Sequence, residues 1–173
     1  MFGGKATVPM VIRTQGGAGK QSAAQHSQSL ERWFVGIPGL KVVMPAVPHD
    51  AKGLLKSSIY DDNPVLFIEH KLLYNTKGPV ADGDYPIPIG KADIKRSGSD
   101  VTIVTWSRML LLCLEAAGLL AKDGIDVEVI DLRTLAPRDT GTILESVKKT
   151  GRLVVVEEGH LTGGVAGEIW ARV

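Results

Sequence analysis

The sequence has few cysteines, few aromatic residues and almost no net charge. Cys113 is the only cysteine in 173 residues. A single thiol excludes an internal disulfide framework and a cysteine-built zinc site, and it fits a reducing compartment. Net charge is +1, with no long run of either sign. That excludes a chain built to coat nucleic acid or an anionic membrane. Long apolar runs are missing too. The stretches Met109 to Leu112 and Leu153 to Val156 are far too short to span a bilayer. The opening Met-Phe-Gly-Gly-Lys has no basic region followed by an apolar core, so it does not read as a secretory signal. There is no internal repeat and no low-complexity segment.

What is present is an alternation of strand and helix patterns. Thr7 to Thr14 is β-branched and apolar, which predicts a buried strand. Gly16-Gly17-Ala18-Gly19 breaks it. Ala23 to Val35 carries Leu30, Trp33 and Phe34 at helical spacing, with Gly36 and Pro38 as stop signals. Leu40 to Met44 predicts a strand, Pro48 onward a helix ended by Asp62-Asn63-Pro64, and Val65 to Glu69 a strand. The run from Lys71 to Ile89 holds Gly78, Pro79, Gly83, Pro86 and Pro88 and reads as a linker. A second alternation follows. Strands are expected at Asp100–Trp106, Val127–Leu132 and Leu153–Glu157. Helices are expected at Met109–Lys122, at Asp139–Thr150 with Asp139 or Thr140 as the cap, and from Gly164 to Val173. Alternation of this kind predicts an α/β fold of parallel sheets with right-handed crossovers, in two units divided at 82/83. The second unit offers only about three strands where about five are usual, and the last helix has no stop signal. The expectation is a part of a longer subunit.

Several groups are placed for chemistry. The Gly16–Gly19 turn lies between a strand and a helix, where parallel sheets bind ligands and where glycine lets backbone amides approach an anion. It does not match the P-loop or dinucleotide fingerprints, and a plain flexible turn is the competing reading. His26 follows that turn, flanked by Gln25, Ser27 and Gln28, and imidazole suits proton transfer near neutral pH. Asp61 and Asn63, with the free carbonyls at a helix C-terminus after Ser57-Ser58-Ile59, offer oxygen ligands for a cation or form an ordinary cap. Glu69-His70 and Glu157-Glu158-Gly159-His160 end strands, which are favoured functional positions. Arg133 binds an anion or pairs with Asp131 or Asp139. Cys113 falls on an apolar helix stripe and reads as packing.

Taken together the segments resemble a known family. Val8-Pro9-Met10-Val11-Ile12-Arg13, Ala24-Gln25-His26-Ser27-Gln28-Ser29-Leu30-Glu31 and Pro38-Gly39-Leu40-Lys41-Val42-Val43-Met44-Pro45 are similar to the beta subunit of thiamine-diphosphate-dependent 2-oxo acid dehydrogenases. So are Asp50-Ala51-Lys52-Gly53-Leu54-Leu55-Lys56, Asp62-Asn63-Pro64-Val65, Glu69-His70-Lys71-Leu72-Leu73-Tyr74, Asp131-Leu132-Arg133-Thr134-Leu135 and Val155-Val156-Glu157-Glu158-Gly159. The order is unbroken along the whole chain.

The resemblance implies part of a transketolase-like pyrimidine-binding domain over residues 1–82 and part of a transketolase C-terminal-like domain over 83–173. It implies decarboxylation of pyruvate, or cleavage of acetoin, with acyl transfer to lipoamide. It implies an alpha subunit in an alpha2-beta2 heterotetramer, a lipoyl acyltransferase core, and a bacterial cytoplasm or a mitochondrial or plastid matrix. His26 matches the family's active-site histidine. Met10, Ser58, Ile59, Asp61 and Asn63 match the ligands of a structural potassium ion, partly through backbone carbonyls. Thiamine diphosphate is shared with the alpha subunit, which also holds the magnesium. The family's pyrimidine-contacting glutamate has no counterpart here, so the chain alone is expected to be inactive. Two other readings are a non-catalytic assembly and acyltransferase-docking module, and another transketolase-superfamily enzyme such as a deoxyxylulose-phosphate synthase.

Overall fold

The structure is a computed structural model and describes residues 6–173. The opening Met-Phe-Gly-Gly-Lys lies outside the described residues. Two four-stranded sheets are present among them. The first contains β1 (Val11–Gly16), β2 (Lys41–Val43), β3 (Val65–His70) and, from much later in the chain, β7 (Thr134–Ala136). Its order is β1-β3-β2-β7. The second contains β4 (Asp93–Arg96), β5 (Val101–Thr105), β6 (Val127–Asp131) and β8 (Leu153–Val156), ordered β4-β6-β5-β8. In each sheet two pairings are parallel and one short edge strand is antiparallel: β7 on β2 and β4 on β6. The fold is therefore α/β and dominated by parallel pairing, with a mixed edge on each sheet.

Helices cover the faces. They are α1 (Arg32–Val35), α2 (Pro48–Ile59), α3 (Met109–Leu120), α4 (Thr140–Thr150) and α5 (Val165–Arg172). The sequence explains their ends. Pro48 starts α2 where its missing N–H costs nothing. Asp139 caps α4 by accepting the Thr142 N–H at 3.2 Å, and Gly151 ends it in the left-handed region at φ 69°.

Packing is continuous across both units. Val42, Met44, Leu66 and Ile68 of the first sheet share one core with Val104, Trp106, Ile130 and Leu132 of the second, closed by Ile143, Val165 and Ile169. Separate cores lie beneath α2, around Leu54 and Phe67, and beneath α3, around Leu110 and Val127. Cys113 belongs to the last of these, and burial pushes its thiol up. The Pro/Gly connector packs on α2: Gly53 leaves room for Ile87, whose N–H donates to the Gly53 carbonyl at 3.1 Å.

Three expectations are corrected. The first strand begins at Val11 rather than Thr7, and its middle residues are exposed, because among the described residues it pairs only with β3. The expected helix from Ala23 to Val35 is a 3-10 turn at Ala24–His26 and the short α1, with Ser27 to Leu30 unwound between them. The second sheet has four strands rather than three, and the short β7 was not anticipated at all.

Candidate active site at the junction of the two sheets

Both sheets point their strand ends at one place. Thr14–Gly17 at the end of β1, Met44 after β2 and Ile68–His70 at the end of β3 face Trp106, Ser107 and Arg108 after β5 and Glu158 after β8. They enclose a cavity of about 190 Å³, whose rim includes Gln25, His26 and Gln28. This is where parallel α/β sheets hold their ligands, because the last turns of the strands leave backbone groups unpaired.

The cavity wall is organised around Glu158. Its Oε2 accepts from the Ala18 N–H at 3.1 Å, the Ser29 hydroxyl at 3.2 Å and His70 Nε2 at 2.9 Å. Its Oε1 lies 3.6 Å from Arg108 Nη1. His70 Nδ1 accepts the Leu72 N–H at 3.1 Å, so the ring proton resides on Nε2 and is donated to Glu158. Burial pushes the His70 imidazole below its ordinary value, against the pull of Glu158. Gly17 explains why a glycine stands in this loop: its φ is +99°, and a Cβ there would fall inside the His70 ring.

A second carboxyl lies deeper. Glu31 is 3% exposed, and burial pushes it above the usual carboxylate range, opposed by hydrogen bonds from its own backbone and from Trp106. Neighbouring Glu157 caps α5 by accepting the Val165 and Ala166 N–H groups at 3.2 and 3.1 Å. The Ser107 hydroxyl is buried and without a partner at the cavity wall.

His26 lies at the end of its 3-10 turn, with its side chain exposed at the cavity rim. Its carbonyl accepts Lys71 Nζ at 2.6 Å, which fixes the backbone and leaves the ring free. The five residues matched to a potassium site gather at the opposite end of the first sheet. The Asp62 carbonyl accepts the Val8 N–H at 2.9 Å and the Met10 carbonyl accepts the Val65 N–H at 2.9 Å, which brings Met10 beside the Asp61–Asn63 turn. Ser58 and Ile59 form the last turn of α2, and the Ser58 hydroxyl bonds back to the Leu54 carbonyl at 2.7 Å. Asp61 already holds the Lys41 ammonium, and its other oxygen accepts from Asn63. No cluster of three or more His, Cys, Asp or Glu side chains suited to a metal occurs among the described residues. A cation at this turn would rest on carbonyl oxygens.

Of the groups singled out from sequence, His26, His70, Glu69 and Glu158 share the cavity. His160 is exposed and does not line it. The Arg133 side chain pairs with neither of the two carboxylates expected, Asp131 and Asp139. Its guanidinium bonds the Lys91 and Ala92 carbonyls and pairs with Asp50 and Asp93, while only its backbone N–H reaches Asp131, at 3.1 Å. Sequence reasoning missed Glu31, Trp106, Ser107 and Arg108. The last three follow a strand end directly, and that position is the one signal that could have found them.

The residues present do not make a thiamine diphosphate site on their own. The cavity is smaller than the ~300 Å³ of ordinary small-molecule pockets. Among the described residues Arg108 is the only lysine or arginine that lines it, and it is turned toward Glu158.

Two mainly parallel α/β units with a cavity at their joined strand ends define the class. The transketolase pyrimidine-binding domain matches residues 1–77, and the transketolase C-terminal domain matches 90–173. The chain belongs to the transketolase-like family, with the pyrimidine-binding domain followed by the C-terminal domain, and it is similar to pyruvate and acetoin dehydrogenase beta subunits. It is 56% identical over 173 residues to the acetoin:2,6-dichlorophenolindophenol oxidoreductase beta subunit of Cupriavidus necator, covering 100% of this chain and 51% of that one. It is 53% identical over 167 residues to the pyruvate dehydrogenase E1 component beta subunit of Cyanidium caldarium, covering 96% and 51%. A solved split-gene transketolase, described as an inactive beta4 tetramer, superposes with a TM-score of 0.81 at 26% identity over 96% of this chain and 53% of that one. The chain thus spans about half the length of the curated relatives it matches.

Proposed function

We propose that this chain is the catalytic-histidine part of a beta subunit in the decarboxylating component of a 2-oxo acid dehydrogenase complex. The observation that carries the reading is the unbroken 56% identity to an acetoin-oxidoreductase beta subunit. His26 is the catalytic residue. Its ring stands free at the rim of the cavity, where it can hold a substrate carboxylate or pass a proton at an imidazole nitrogen. The substrate is pyruvate or acetoin, and the acyl group goes to lipoamide.

Residues 1–82 serve as part of the pyrimidine-binding domain and 83–173 as part of the C-terminal domain. The small cavity and the lack of a free cation in its wall among the described residues support an active centre completed by an alpha subunit, in an alpha2-beta2 heterotetramer, which binds the diphosphate and its magnesium. Thiamine diphosphate when bound supplies the nucleophilic carbon for this chemistry. Potassium, held by carbonyls of Met10, Ser58 and Ile59 with Asp61 and Asn63, serves structure. A lipoyl acyltransferase is the acyl acceptor's carrier, and the setting is a bacterial cytoplasm or an organelle matrix.

The test is His26→Ala in the complete subunit assembled with its alpha partner. Lipoamide-dependent turnover is expected to fall at least tenfold. Near-normal turnover would sink the catalytic assignment and favour the assembly and docking module.

A further inference from the structure

Glu158 belongs to the second unit, yet three of its four partners belong to the first. One carboxylate oxygen, Oε2, collects the Ala18 N–H, the Ser29 hydroxyl and His70 Nε2–H at 3.1, 3.2 and 2.9 Å. Ala18 lies before His26 in the chain and Ser29 after it. The segment that carries the catalytic histidine is therefore pinned on both flanks to a single atom of the opposite unit. Few other bonds hold it. Within the segment the Gly17 N–H donates to the Gln28 carbonyl at 3.0 Å, and the Ser22 N–H to the Ser27 hydroxyl at 3.1 Å. The remaining ties are the His26 N–H on the Ala23 carbonyl at 3.3 Å, the Gln28 side chain on the Ala24 carbonyl and Lys71 on the His26 carbonyl. The apolar positions that would bury a continuous helix here are not buried: every residue from Ser22 to Leu30 is at least partly exposed.

We propose that Glu158 is a positioning residue that holds the His26 segment at the cavity through Ala18 and Ser29, with His70 as its fixed support. Hydrogen bonds to an ionised carboxylate are about twice as strong as neutral ones, so losing this acceptor frees the segment more than losing any one of its donors. His70 fixes where that acceptor stands. Its ring is locked by the Leu72 N–H on one side and packed against Gly17 on the other. Arg108 at 3.6 Å on the other oxygen keeps the carboxylate aligned. The inference rests on the assignment of His26 for its meaning in catalysis, but the clamp itself is a property of this chain.

The test reads both separately. Amide exchange of Ala18 in this chain, followed by NMR, is expected to speed up at least tenfold in Glu158→Ala and about threefold in Ser29→Ala. Glu158→Gln keeps a carbonyl oxygen for the donors and is expected to recover most of the protection. In the assembled enzyme Glu158→Ala is expected to lower kcat at least tenfold with KM changed less than threefold, and Glu158→Gln to restore most of kcat. Unchanged Ala18 exchange in a folded Glu158→Ala overturns the proposal. If that variant does not fold, unchanged Ala18 exchange in Ser29→Ala overturns it instead. Faster exchange together with a His26→Ala enzyme of normal turnover keeps the clamp and removes the catalytic role.

Discussion

Asp131 offers the sharpest quantitative prediction. It is fully buried at the end of β6, and burial pushes its carboxyl up from 3.8 to about 7, against the attraction of Lys95 and Arg133. One oxygen accepts the Arg133 N–H at 3.1 Å and the other has no partner. A carboxyl raised on folding is protonated in the native state while the unfolded chain has already ionised. Its destabilising contribution is absent below about pH 4, grows as pH rises toward about 7, and is constant above. With 3.8 and about 7 as the two values, linkage between about pH 5 and about pH 8 amounts to ~2–3 kcal/mol. Asp131→Asn keeps the acceptor for Arg133 and removes the titration. It leaves an unpartnered amide, a pH-independent cost of about 1–3 kcal/mol. The informative quantity is therefore the difference between the two unfolding curves as a function of pH. Denaturant unfolding followed by tryptophan fluorescence should show the wild type losing ~2–3 kcal/mol relative to the variant across that window. Parallel curves would refute a buried, protonated Asp131.

Two further tests probe other parts of the chain. Gly17→Ala places a Cβ inside the His70 ring at a φ of +99°, so the unfolding midpoint should fall by about 1–3 kcal/mol equivalent. The His70 imidazole, followed by NMR, should move up toward its ordinary value as the ring leaves its buried seat. Replacing potassium with a larger organic cation should lower the thermal midpoint of the assembled enzyme if the carbonyls beside Asp61 and Asn63 hold the ion, and an unchanged midpoint would leave a plain helix cap there.

The parallel strands and the long helices were legible because each rests on a local signal: a β-branched run, a proline at the first helical turn, an aspartate cap, a glycine stop. Boundaries at α2, α3 and α4 differ from the sequence reading by at most two residues. What failed was decided at a distance. Ser27, Gln28 and Ser29 follow a helical apolar pattern, but their polar groups bond to Ser22, Gly17 and Glu158 rather than continuing a helix. The strand Thr134–Ala136 is three residues long and stops before a proline, so no local signal marks it. The cavity was half legible. Strand ends led to Glu69-His70 and to Glu157-Glu158. Their convergence with Trp106 and Arg108 depends on how two sheets meet, which periodicity does not encode.

That meeting has a definite cause. Strand β7 leaves the second unit and pairs antiparallel with β2 of the first, Val42 opposite Ala136 and Val43 opposite Thr134. The Met44 N–H then donates to the Arg133 carbonyl at 2.8 Å. Arg133, held at a positive φ of 56°, sends its guanidinium toward Asp50 on α2, which Lys95 of β4 also grips at 2.6 Å. Burial pushes Asp50 up, and the hydrogen bond and charge of Lys95 outweigh it and hold it below the usual range. The units are thus joined by ladder bonds and a buried ion cluster as well as by their shared apolar core. Sliding by one residue would break the ladder at about 1 kcal/mol per bond and strand a buried charge at several times that. Register between the sheets is fixed for the same reason that register within a sheet is fixed. Glu158 can act as a single anchor for the His26 segment because β7 has already set the distance between the strand ends on which both depend.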